Sequence, residues 1–146
     1  MAQKTAKSEI WTAEERAAMK EAAAEAKRAA KRGADSAAGE ADVLAKIAEM
    51  SEPDRSMATR IHEIVKAAVP ELGSKTWYGM PAYTKDGKTI CFFRPAAKFN
   101  ERYATFGFQP DARLDDGVMW AKEFAVLELT PEVEERIAAL VKQAAG

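Results

Sequence analysis

Large apolar side chains are spread unevenly along the chain, and their spacing divides it into helical and extended stretches. Residues 1–40 contain only Met1, Ile10, Trp11 and Met19, so a core has to be sought in residues 41–146. Within the first part, Thr12-Ala13-Glu14-Glu15 has the spacing of a capping box, in which the Thr12 hydroxyl accepts from the Glu15 N–H while the Glu15 carboxylate reaches back. An Ala-rich helix is expected from there to Arg32. Glu14 and Glu15 fall in its first turn and Lys27, Arg28, Lys31 and Arg32 near its end, which complements the helix dipole. Met19 is its one large apolar residue, so a buried face would have to be built from Ala17, Ala22, Ala23, Ala26 and Ala30. Such a face packs weakly, and a largely solvated helix is expected, followed by a flexible connector of small residues over 33–39.

Beyond it, Val43, Leu44, Ile47 and Met50 recur at helical spacing, as do Met57, Ile61, Ile64, Val65 and Ala68 after Ser51-Glu52-Pro53. From Leu72 the pattern changes to aromatic and β-branched runs broken by Gly, Pro and Asp, predicting strands over 76–78, 81–85, 88–94, 102–108 and 124–129. Thr130-Pro131 then reads as an N-cap with Pro at the first helical position, opening a helix with an apolar stripe of Val133, Ile137, Leu140, Val141 and Ala144. Asp86-Gly87 is a type I′ hairpin signal, because both central residues need positive φ. Counting outward from that turn sets Tyr83 against Ile90, Ala82 against Cys91 and Pro81 against Phe92. Pro81, Tyr83, Ile90 and Phe92 would then share one face, and Met80, Ala82, Cys91 and Phe93 the other. Helices should cover one face, while the other is either covered by a further element or left as an apolar concavity. This order of elements predicts an α+β two-layer sandwich: a mainly antiparallel sheet of about five strands with helices on one face. An appended N-terminal helix and connector (1–40) would precede the domain proper (41–146).

Composition narrows the function classes. Alanine supplies 31 residues of the 47% hydrophobic fraction, and 22 Lys and Arg stand against 23 Asp and Glu. A net charge of −1 offers no global attraction to nucleic acid or anionic lipid, and neither a membrane span nor a secretory signal is visible. One cysteine excludes an intrachain disulfide, which fits a reducing, cytoplasmic setting. His62 is the sole imidazole and lies off the apolar stripe of its helix, so it is expected to face solvent rather than to serve a catalytic triad. Cys91, mid-strand between Ile90 and Phe92, is expected to be an inert buried thiol. No glycine-rich phosphate loop occurs, and one His with one Cys cannot build a zinc site or a two-histidine iron triad.

Two groupings remain. Asp111, Asp115 and Asp116, in a loop that Gly117 lets turn tightly, with Glu123 following, are oxygen ligands of the type hard cations accept, or simply solvated turn residues. Ten aromatic residues lie between Trp77 and Trp120. Most should be core, but Trp77, Tyr78, Met80, Tyr83 and Phe93 are candidates to line a site for a small hydrophobic ligand or a protein partner.

The stretch Trp77-Tyr78-Gly79-Met80-Pro81-Ala82-Tyr83 resembles the YdhG-like domain family, a bacterial group formally of unknown function. The resemblance continues through Lys88-Thr89-Ile90-Cys91-Phe92-Phe93, Tyr103-Ala104-Thr105-Phe106-Gly107-Phe108 and the helix over 131–142, preceded by Ile61-His62-Glu63-Ile64-Val65. It covers about residues 41–144. What it implies is a small α+β domain comparable to frataxin and an intracellular iron chaperone. Many members carry a histidine just before the third long strand; Lys98-Phe99-Asn100-Glu101-Arg102-Tyr103 has none. The resemblance thus leads to a non-enzymatic iron-binding or iron-delivery protein. The aromatic residues lead instead to a module that binds a ligand or partner on its sheet.

Overall fold

Two tight hairpins organise the sheet. The computed structural model describes residues 11–32 and 36–146. Its five strands are β1 (Gly73–Trp77), β2 (Met80–Lys85), β3 (Lys88–Arg94), β4 (Ala104–Phe108) and β5 (Glu123–Val126), antiparallel throughout and in chain order across the sheet. Around it lie α1 (Ala13–Arg32), α2 (Ser36–Glu49), α3 (Asp54–Ala68) and α4 (Pro131–Ala145), so the α+β architecture with helices packed on one side is established. Among the described residues no helix is long and apolar enough to cross a membrane.

Both expected caps form. Thr12 Oγ1 accepts from Glu15 N at 3.0 Å while Glu15 Oε1 accepts from Thr12 N at 3.2 Å, and Thr130 Oγ1 accepts from Val133 N at 3.3 Å. The connector is shorter than expected. Ser36–Gly39 already belong to α2, and the remainder, 33–35, lies outside the described residues. Gly39 is tolerated inside a helix because α2 approaches β1 there so closely that a Cβ would strike the Ser74 carbonyl. Val43 and Ile47 of α2 are buried as predicted, whereas Leu44 points outward.

The register of the central hairpin departs from a simple count. Asp86-Gly87 is the turn, at φ 52° and 79°, and Lys85 pairs with Lys88 and Thr84 with Thr89. A bulge follows, so Tyr83 pairs with Cys91 and Ala82 with Phe92, with Ile90 as the extra residue on β3. The four apolar residues Ile90-Cys91-Phe92-Phe93 do not alternate, so they cannot specify their own register, and the bulge lets both Ile90 and Cys91 enter the helix-side core. Tyr83, Cys91, Phe93, Phe106 and Phe108 thus meet α2, α3 and α4 in one continuous core. The opposite face carries a small second cluster of Met80, Ala82 and Phe92, with Trp77 and Phe99 packed against it and no helix residue in it.

Candidate functional site

β1 and β2 are joined by a second two-residue turn, Tyr78-Gly79, with Trp77 paired to Met80 across it. Its φ values of 54° and 75° nearly repeat those of Asp86-Gly87, so both are type I′ geometry. The side chains differ in kind. Aspartate is at home at positive φ, whereas a bulky aromatic residue held there is strained by about 1 kcal/mol or more. Tyr78 keeps this conformation with its side chain 39% exposed, its ring set edge-on to Trp77 at 5.2 Å.

Trp77 in turn meets Phe92 edge-on at 5.4 Å, and the Phe92 ring lies over Gly107 of β4, where a Cβ would collide with it. Phe99, from the loop over 95–100, completes the patch. Arg94 stacks 4.2 Å above its ring while its Nε donates to Glu101 at 2.7 Å. That loop is fastened to the start of α3, because the buried Asp54 carboxylate accepts from Ala97 N at 3.0 Å. Beside the patch, the Tyr78-Gly79 turn, the loop and the end of α2 enclose a cleft of about 320 Å³ lined by Lys46, Met50, Gly79, Pro95, Ala97 and Lys98, with Glu49 and Asp54 also on its wall.

α1 reaches this cleft with two carboxylates. Glu21 bridges Lys98, through Oε1, and Lys46, whose Nζ lies 3.0 Å from Oε2; Glu25 accepts from Gly79 N at 2.8 Å. Burial opposes ionisation of Glu21, but hydrogen bonds from Lys98 and Lys46 outweigh it and hold the carboxyl below its ordinary value. Lys46 shifts the other way: burial works against its charge, and Glu21 more than restores it. The helix therefore presents Ala18, Glu21, Ala22 and Glu25 to the domain; of the expected alanine face only Ala22 is turned inward, Ala17, Ala23 and Ala26 are exposed, and the Ala30 side chain lies outside the described residues.

The five residues expected to line one apolar site do not share a face. Tyr83 and Phe93 are fully buried on the helix side, while Trp77 and Met80 lie on the other face with Tyr78 at the turn beside them. Strand alternation alone sets Tyr83 opposite Met80 on β2, and the bulge adds Phe93 to the Tyr83 side, leaving Phe92, not Phe93, beside Ala82. The acidic residues do not converge either. Ala112 and Leu114 anchor their loop in the core and Arg113 N donates to Ala144 O at 2.9 Å, so Asp111, Asp115 and Asp116 are left exposed on either side of those anchors. Asp111 lies 3.9 Å from Lys88 and Glu123, on β5, 3.9 Å from Lys122. Among the described residues no three His, Cys, Asp or Glu side chains are grouped to hold a metal ion.

His62 is not a surface residue. It is 8% exposed, because α3 is flanked by both the sheet and α2 and its buried arc is wider than its apolar stripe. Burial holds the Tyr83 hydroxyl protonated, 2.9 Å from His62 Nδ1, and Nε2 faces the Glu40 carboxylate at 3.4 Å; in the tautomer with its proton on Nε2, which a carboxylate acceptor favours, the Tyr83 hydroxyl donates to Nδ1. Cys91 is buried and its thiol is pushed well up by desolvation, which makes it inert. For His62, burial lowers the pKa, with Lys66 helping and Glu40 opposing. The unfolded chain takes up this proton near the ordinary value of 6.5 and the folded protein only at lower pH. The unfolded form therefore holds more protons between the two, and stability is lost as pH falls below about 6.5. Urea midpoints measured at pH 7.5, 6.5 and 5.5 should decline, and His62→Gln should flatten the decline.

The signals for this site were Tyr78-Gly79, an X-Gly pair between extended runs like Asp86-Gly87, and Glu21 and Glu25 at i and i+4 on an otherwise alanine face. Lys46, Lys98 and Phe99 carried no such mark, since only the fold brings them to the turn. The chain matches no known family, no curated protein and no solved structure.

Proposed function

We propose that this protein is a non-enzymatic binding module whose working surface is the Trp77–Tyr78 corner of the sheet, with Met80, Phe92 and Phe99 behind it. The observation that carries this reading is Tyr78. Of two hairpin turns with nearly the same backbone, one uses the residues that geometry favours and the other strains an exposed tyrosine. Strain of this kind is retained where the side chain has a task. The side chains best suited to catalysis, His62, Cys91 and Tyr83, are all committed to the core.

Substituting Tyr78→Asn should therefore separate stability from function. Asparagine relieves the positive-φ strain, so the variant is expected to gain about 0.5–1 kcal/mol, read as a raised urea midpoint. Binding of the apolar anionic dye anilinonaphthalene sulfonate should fall at least severalfold in Tyr78→Asn and in Trp77→Ala, with near-UV circular dichroism confirming native packing. Unchanged dye binding in both folded variants would remove the reading.

A further inference from the structure

We infer that the cleft between Lys46, Gly79 and Lys98 is a binding site for a carboxylate ligand with a short apolar body, and that α1 occupies its anion subsite with the chain's own Glu21 and Glu25. This deepens the proposed function by naming the ligand's head group, and it rests on that reading for placing a ligand beside the Tyr78 turn.

Three donors converge there from separate parts of the fold: Lys46 from α2, Lys98 from the loop after β3, and the Gly79 N–H from the β1–β2 turn. Glycine at 79 suits the turn and leaves room for the two side chains that meet over it. Its φ of 75° disfavours a side chain, and a Cβ would strike both the Glu21 carboxylate and the Lys98 ammonium. The neighbouring acids do not neutralise this subsite in the same way. Asp54 accepts from Ala97 N, and Glu49, 3.7 Å from Lys46, keeps its side chain two-thirds exposed. What fills the subsite is carboxylate from α1, so the chemistry it accepts is already visible. Next to it, the cavity of about 320 Å³ has Met50, Pro95 and Ala97 on its walls, room for an apolar body of benzoate size.

The occupant is built to be displaced. The contacts that hold α1 include its two glutamates and buried Ala18, while its larger apolar residue, Met19, is exposed. Its alanine content lets it remain helical when undocked. A ligand carboxylate competes with Glu21 and Glu25 directly, so docking lowers apparent affinity by the fraction of molecules in which the subsite is open.

The test is titration of benzoate into the ¹⁵N-labelled full chain and into Glu21→Ala/Glu25→Ala, following the Gly79 amide resonance. Affinity should rise roughly tenfold in the double variant, as for a subsite open in about a tenth of wild-type molecules. Adding Lys98→Met to the double variant should reverse the gain, and benzyl alcohol, which has the same body without the charge, should leave Gly79 unmoved. Equal benzoate affinity in wild type and double variant, or an equal response to the alcohol, overturns the inference. The two readings fail separately. Intact dye binding in Tyr78→Asn with the benzoate gain preserved removes only the aromatic corner, and loss of the gain with dye binding still dependent on Tyr78 removes only the carboxylate site.

Discussion

Phe93→Ala is expected to lose about 3–5 kcal/mol of stability, the range for truncating a fully buried aromatic side chain. Phe93 has no exposed surface, and its paired neighbour Phe106 on β4 has none either, so the cavity left behind has no solvent route by which to fill. Against a total of about 5–15 kcal/mol for a domain of this size, that leaves the variant marginal at best. Trp77→Ala, by contrast, removes a half-buried ring from the outer patch and should lose no more than about 1–2 kcal/mol. Denaturant midpoints with unchanged slopes would establish the ranking. A small loss for Phe93→Ala would mean that it faces the outer side, as a hairpin without a bulge would place it.

The contrast between these two residues marks the limit of what patterning could reveal. Wherever apolar residues alternate or recur at a clear period, elements were legible: the Ala104, Phe106, Phe108 series of β4, the Ile61, Ile64, Val65 stripe of α3, the Thr130-Pro131 cap and the Asp86-Gly87 turn all stand where their residues imply. β3 is different. Its run of four apolar residues is compatible with either face, and the bulge at Ile90 is chosen by packing against α3 and α4, which local pattern does not encode. His62 departs from its pattern for a related reason. Stripe geometry describes a helix lying on one surface, whereas α3 is enclosed on two. The cleft was the least legible feature, because Glu21, Lys46, Gly79 and Lys98 are separated along the chain by 19 to 33 residues and read individually as ordinary surface groups.

Gly107→Ala is expected to destabilise the protein by about 2 kcal/mol, although replacing glycine in a strand ordinarily helps. The ordinary gain, about 0.4–1 kcal/mol, comes from restricting the unfolded chain. At Gly107 it is outweighed, because the new methyl meets the tip of the Phe92 ring, whose other side is braced by Trp77 at 5.4 Å. Leucine at 92 lacks the ring atoms that would collide, so in a Phe92→Leu background the same substitution should become neutral or mildly stabilising. The double-mutant cycle is therefore expected to give a coupling of about 1–3 kcal/mol between two residues on neighbouring strands. Additive effects would mean that Phe92 does not lie on Gly107. The outer aromatic patch would then lose the residue that joins Trp77 to the rest of the sheet, and with it the rigid backing that a binding surface at Tyr78 requires.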